Sequence, residues 1–317
     1  MRSSDGPMEN ENLVQVFNAI VESIGTESEF NHDRYFRYAF SNPERTAELL
    51  TIFSEKNESL KTFLETVDLS SLKGAPENFS MSKHVGSADL VFEARLKNGK
   101  TADLLVGLIA EHKSYKDSGV FDQISEYYHH LFQERGKDYP VVAFIIYNGE
   151  EEWKPVASPR YENYPEYYQD IGYPFKVEFL DIGHGINLID FGNISPETLV
   201  ALTAMKYIFS EAEFPVTFRQ AALHLLESQN TNAGKEFIRQ TLAYYAWKWP
   251  YKPEVVKVDR PEIVAANKKG ESFAEHFIKQ GSLLRAQEMA RRMLAKNKPI
   301  SEIVEFTGLE EVDIQAL

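Results

Sequence analysis

Residues 87–117, SADLVFEARLKNGKTADLLVGLIAEHKSYKD, carry the reading on which the fold turns. The first part alternates apolar and polar residues, as a half-buried strand does. The second part is almost continuously apolar from Leu104 to Ala110, the pattern of a strand covered on both faces. Asn98-Gly99 stands between them, a strong short-range hairpin signal. The sequence therefore predicts two antiparallel strands over 87–97 and 101–112. The second runs into Glu111, His112 and Lys113, an awkward place for a sheet to stop. Strand side chains repeat every two residues, so Glu111 and Lys113 share one face and His112 takes the other. Asp89 lies near the same end of the hairpin. How closely it approaches Glu111 depends on register or a bulge.

Downstream, residues 119–135 place Val120, Ile124, Tyr127, Tyr128 and Leu131 on one helical face. YPVVAFIIYNGE (139–150) and FKVEFLDI (175–182) read as third and fourth strands. A strand–helix–strand unit inside this order predicts a mixed sheet covered by helices. Upstream, residues 12–25 have helical spacing, and a polar, acidic stretch without an apolar core precedes them, so no secretion signal is expected. Residues 32–54 read as two helices broken at Asn42-Pro43, with Asn42 as cap and Pro43 in the first turn. Residues 55–80 look mixed and polar, with a loop. From about residue 196 the pattern is helical, interrupted by the Pro- and Lys-containing stretch at 250–262. The division expected is a tail and short helix (1–28), an α/β domain (29–195), a helical extension (196–250), a linker (251–270) and a helical tail (271–317).

Composition narrows the function classes. The chain has 317 residues, no cysteine and 48 acidic against 34 basic residues, for a net charge of −14. Disulfides and thiolate metal sites are excluded. No apolar run reaches the roughly 18 residues of a membrane span. These features suit a cytoplasmic protein with no membrane partner. The acidity opposes bulk attraction to nucleic acid, which would need a local basic patch or a bound cation. One such patch is Arg285, Arg291, Arg292, Lys296 and Lys298 against Glu288. The final helices have the length of a helix-turn-helix, but EEVDIQAL (310–317) is acidic and ill-suited to reading bases, which favours packing or oligomerisation.

Two carboxylates and a lysine at one sheet end form a sensible hydrolytic site. Asp89 and Glu111 suit a hard cation through oxygen, and Lys113 suits an attacking water or a phosphate. The alternative is a capping Asp89 beside a solvated Glu111–Lys113 pair. Gln123 and Tyr127, spaced i, i+4, share a helix face beside the motif. His112, Ser114, His32 and Asp33 are neighbours without an assigned role. The lone histidine of DIGHGI (181–186) suits a turn better than a ligand.

The order Asp–Glu-x-Lys resembles the PD-(D/E)XK nuclease superfamily. Together with HDRYFRYAFSNPERTAELLTIF (32–53), YPVVAFIIYNGEEEWKP (139–155) and AQEMARRMLAKNKPISEIVEFTGLEEVDIQAL (286–317), it resembles the recombination-promoting nuclease family, also described as YhgA-like transposases. The resemblance implies an α/β, restriction-endonuclease-like mixed sheet flanked by helices, followed by an all-helical C-terminal region. It implies a Mg²⁺-dependent DNA endonuclease, with Mn²⁺ able to substitute and DNA as partner. Asp89 and Glu111 would be the metal ligands and Lys113 the third member of the catalytic motif. Members of that family often carry Gln at the Lys113 position, and Ala88 stands where a proline is usual. Gln123 and Tyr127 resemble a QxxxY element that borders the site. The competing functional classes are a catalytically silent module that binds DNA or protein, and a helical oligomerisation scaffold.

Overall fold

The computed structural model describes residues 6–25, 30–74, 89–97, 105–135, 140–156, 165, 172–186, 194–258, 283, 286–287, 289–291 and 293–317. Its centre is a five-stranded mixed α/β sheet whose strands lie side by side in chain order. They are β1 (Val67–Gly74), β2 (Leu90–Leu96), β3 (Leu105–Lys113), β4 (Val141–Tyr147) and β5 (Lys176–Asp181). β1 and β3 run antiparallel to β2, whereas β3, β4 and β5 are mutually parallel. Four of the strands fall where the apolar patterning places them.

Within 55–80, the described residues, which end at 74, hold helix α4 (Glu58–Thr66) and β1; residues 75–80, where the expected loop would fall, lie outside the described residues. β1 escapes an alternation test because it is an edge strand in which only Val67 and Leu72 are buried. Its pairing with β2 rests on backbone bonds, which carry no sequence signal. The N-terminal helix α1 runs Gly6–Glu22 rather than 12–25, so it starts earlier in the polar stretch and ends before Gly25.

The hairpin register decides where the site residues go. An unbroken two-residue loop at Asn98-Gly99 would set Asp89 opposite Leu108. Instead Leu90 pairs with Ala110 and Phe92 with Leu108. Residues 98–104, including Asn98-Gly99, lie outside the described residues. An odd shift in register exchanges the faces of one strand relative to the other. The observed register puts Phe92, Ala94, Leu108 and Ala110 on one buried face. Burial of that face outweighs the turn signal, and it sets Asp89 beside Glu111 at the end of the ladder.

The two faces of the sheet are covered differently. The even-numbered face, with Leu108, Ala110, Phe144, Ile146 and Leu180, belongs to the large core. Helices α1, α2 (His32–Phe40), α3 (Pro43–Ser54) and α4 supply one part of that core. The helices α6 (Pro196–Tyr207), α7 (Glu213–Ser228) and α8 (Asn232–Lys248) supply another. The odd-numbered face, with Ile109, Ala143 and Ile145, packs against α5 (Val120–Arg135). Tyr173 and Phe175 lie against Phe121 and Tyr128 of α5.

The chain after α8 folds back. Val256, in the short helix α9 (Pro253–Val256), and Val258 are buried in the large core. Asn18 of α1 and the Val258 backbone exchange two hydrogen bonds, of 3.2 and 3.0 Å. Helices α10 (Ile300–Thr307) and α11 (Glu311–Gln315) share a separate small core of Ala290, Ile303, Leu309 and Ile314. Gly308 joins them at φ 69°, a left-handed C-cap that favours glycine. Of the basic patch read near the C-terminus, Arg285, Arg292 and the acid Glu288 lie outside the described residues. Arg291, Lys296 and Lys298 are exposed. No helix of the described residues is long and apolar enough to cross a membrane.

Asn42 caps α3 as its position predicts: Oδ1 accepts from the Glu44 and Arg45 amides at 2.8 and 3.2 Å. Asn42→Ala should lower stability by about 1 kcal/mol, read as a shift in the urea midpoint.

Candidate functional site

The site lies where β3 ends and the chain turns into α5. Asp89 occupies a bend just before β2, next to the Leu90–Ala110 pair. Its Oδ2 accepts the His112 backbone N–H at 2.9 Å, and its Oδ1 accepts Arg37 Nε of α2 at 3.0 Å. Glu111 is 3% exposed. Its Oε1 lies 3.1 Å from Lys113 Nζ, whereas Oε2 is buried without a hydrogen-bond partner. A buried carboxylate oxygen left unpaired is costly, and a ligand removes that cost. Burial, then the Asp89 charge, push the Glu111 carboxyl up to about 7. Burial also raises Asp89, against the opposing pull of His112 and Arg37.

Lys113 is buried beside Glu111. Its ammonium meets Glu111, Asp117 Oδ2 at 2.9 Å and Gln123 Oε1 at 2.7 Å. Burial pulls the ammonium down, but Asp117 and Glu111 overcome it, and the net shift is upward. Gln123 passes the chain on: its Nε2 donates to the Tyr127 hydroxyl at 2.7 Å. Burial, then Glu111, raise Tyr127 to about 12. The i, i+4 pair on α5 thus sits against the end of β3, bonded to Lys113. Ser114 is half-buried on the bend that follows.

His112 takes the opposite face, as strand periodicity requires. Its ring stacks on Phe36 with centroids 5.0 Å apart and is closed to solvent. Nε2 lies 2.9 Å from Asn148 Oδ1, and Nδ1 lies 3.4 Å from Asp33 Oδ1. The hydrogen bond with His112 holds the Asp33 carboxyl below its usual range, against burial. Among the described residues, Asp33, Asp89 and His112 each offer a ligand atom within 4.8 Å of the other two, a geometry able to hold a metal ion. His32 is turned elsewhere, its Nδ1 2.6 Å from the Tyr244 hydroxyl of α8. Burial, with the nearby His112 and Lys248, lowers His32 to about 3. His184 occupies a turn and bonds Asp181 at its own strand end.

The structure therefore gathers Asp89, Glu111, Lys113, Gln123 and Tyr127 at one sheet end, with His112 and Asp33 behind them. Sequence reasoning passed over Arg37, Asp117 and Asn148. Asp117 follows Lys113 by four positions, a spacing that only a tight turn converts into contact. Arg37 and Asn148 meet their partners across long chain separations, and nothing local announces them.

No curated protein and no solved structure matches the chain. A family model described as "Putative transposase, YhgA-like" matches residues 30–236, from just before α2 into α8 and across Asp33, Arg37, Asp89, Glu111, His112, Lys113, Asp117, Gln123, Tyr127 and Asn148, so the chain belongs to that family.

Proposed function

We propose that the protein is a metal-dependent endonuclease that hydrolyses DNA phosphodiester bonds, with Asp89 and Glu111 as the ligands of a Mg²⁺ ion. The observation that supports this most directly is Glu111 Oε2, a buried carboxylate oxygen with no protein partner beside a second buried carboxylate. Two acids placed together in low dielectric repel one another, and a cation relieves both the repulsion and the unpaired oxygen. The oxygen donor set fits a hard ion. Bound there, Mg²⁺ would polarise a phosphoryl oxygen and lower the pKa of a coordinated water.

The chain's own groups have separate roles in this reading. Asp117 and Gln123 aim the Lys113 ammonium, which stays charged at neutral pH and meets negative charge developing on phosphate. Tyr127 fixes the orientation of Gln123. Arg37, about half exposed beside Asp89, offers a guanidinium to the approaching backbone. The α5 face that packs on Ile109 and Ile145 keeps bulk water from the back of the pair.

The test is supercoiled plasmid incubated with the full chain and Mg²⁺ or Mn²⁺, beside Asp89→Ala. Nicking by the wild type that the variant lacks is the expected result. Equal nicking by both would assign the activity to a contaminant. Retention of DNA on a gel without any nicking would favour the silent binding module. A scaffold role draws its support from the C-terminal helices, where Phe306 (67% exposed) and Val312 are apolar and open to solvent. Oligomerisation through them can accompany either reading.

A further inference from the structure

We propose that Asp33, Asp89 and His112 form a second cation site beside the Asp89–Glu111 pair, one that takes a transition-metal ion of the Mn²⁺ class through a histidine nitrogen. Asn148 decides which nitrogen of His112 carries the hydrogen. Its amide nitrogen donates to the Met205 carbonyl of α6 at 3.0 Å, which leaves Oδ1 facing His112 Nε2 at 2.9 Å. A carbonyl oxygen only accepts, so Nε2 carries the hydrogen. In the neutral ring the lone pair then belongs to Nδ1. Nδ1 is the atom that faces Asp33 and Asp89, with the three ligand atoms within 4.8 Å of one another.

A ring nitrogen held by a hydrogen bond on its far side is the usual outer arrangement of a metal-ligating histidine. Here the holding group is itself anchored. Asn148 is 1% exposed, its backbone N–H bonds the Lys113 carbonyl at 3.1 Å, and the Tyr244 hydroxyl adds a further contact to its side chain. Phe36, stacked on the ring, fixes the plane. The histidine is therefore positioned from four elements, although burying a polar ring in an apolar core has no packing advantage by itself. The 3.4 Å contact of Nδ1 with Asp33 Oδ1 is at the long end of a hydrogen bond, and an ion between the two would replace it. Two ligands bonded to one small ion at about 2.1 Å stand roughly 3 Å apart in octahedral geometry, so modest closure suffices.

First-row transition ions, Mn²⁺ included, accept an imidazole nitrogen beside carboxylates, whereas Mg²⁺ prefers oxygen alone. The inference rests on the metal reading of this sheet end. It adds a residue and a preference that the Asp89–Glu111 pair does not supply. Asp33 is 54% exposed, so it can be changed without disturbing the core. Asn148 is a positioning residue in this scheme and touches no ion.

The experiment uses the full chain with Mn²⁺ as probe, and its main readout is electron spin-echo modulation from ligand nitrogen. Protein labelled with ¹⁵N only in histidine identifies the source. We expect a histidine-nitrogen coupling in wild type and in Glu111→Gln. In Asp33→Asn, with an unchanged melting curve, we expect the coupling lost and Mn²⁺ bound about tenfold or more weakly. Mn²⁺ bound without histidine coupling, or with the same affinity in Asp33→Asn, would overturn the inference and leave a nicking activity intact. Coupled Mn²⁺ in a wild type that nicks no plasmid would instead overturn the nuclease reading and leave this site standing.

Discussion

Glu111→Gln should give a protein that nicks no plasmid, yet withstands more urea than the wild type at pH 8 in the absence of divalent ions. Both halves follow from one buried charge. The Glu111 carboxyl rises from its usual 4.5 to about 7 in the folded chain, because burial and Asp89 disfavour the anion. Between those two values the folded state binds more protons than the unfolded state. Stability therefore falls as pH rises from about 4.5 to about 7, and levels off above. At 1.36 kcal/mol per pH unit the loss is roughly 3 kcal/mol. Glutamine keeps the shape and an acceptor for Lys113, whose charge Asp117 still balances at 2.9 Å. The variant should therefore escape most of that loss, with its urea midpoint nearly flat from pH 5 to pH 8 while the wild type declines. Added Mg²⁺ should restore the wild type by binding only the folded form, and should leave the variant nearly unmoved. A wild type whose stability rises through this window would contradict the burial of Glu111 with its unpaired Oε2.

Strand periodicity alone separates Glu111 and Lys113 from His112, and the structure shows that division. The i, i+4 spacing of Gln123 and Tyr127 likewise survives, because helical geometry is as local as strand parity. What local pattern could not supply was the register. Asn98-Gly99 pointed to a tight loop three positions out of step with the observed pairs, and the burial of Phe92 against the Leu108 side overrode it. The edge strand β1 was invisible for a related reason, since pairing through backbone groups leaves no mark on side-chain order. The polar support of the site was the least legible. Arg37 reaches Asp89 from α2, Asn148 reaches His112 across β3 and β4, and Tyr244 arrives from α8. Each is an ordinary residue in its own segment, and only the topology brings it to the end of β3.

Lys113→Met should destabilise the metal-free protein by about 3 kcal/mol at pH 8, and by about half as much at pH 5.5. The ammonium is the shared counter-charge of Glu111 and Asp117 and the donor to Gln123. Removing one member of a buried ion pair strands the other, which typically costs 3–5 kcal/mol. Asp117 is nearer the surface and can recover water, and Glu111, already raised to about 7, can give up its charge at pH 8 for about 1.4 kcal/mol. The sign with pH follows from the same group. Without Lys113 the folded-state value of Glu111 rises further, so the charged form is disfavoured over a wider window, and the deficit grows as pH rises through it. At pH 5.5 Glu111 takes a proton and the orphaned charge disappears. The double variant Lys113→Met/Glu111→Gln should accordingly recover most of the stability at pH 8, with a coupling of about 1 kcal/mol between neighbours that share a contact. Additive effects would mean that Lys113 acts mainly on Asp117 and Gln123, and that Glu111 is stabilised by something other than the ammonium. Neither variant should nick plasmid if Lys113 meets the phosphate, so the two measurements divide the residue's structural work from its chemical work.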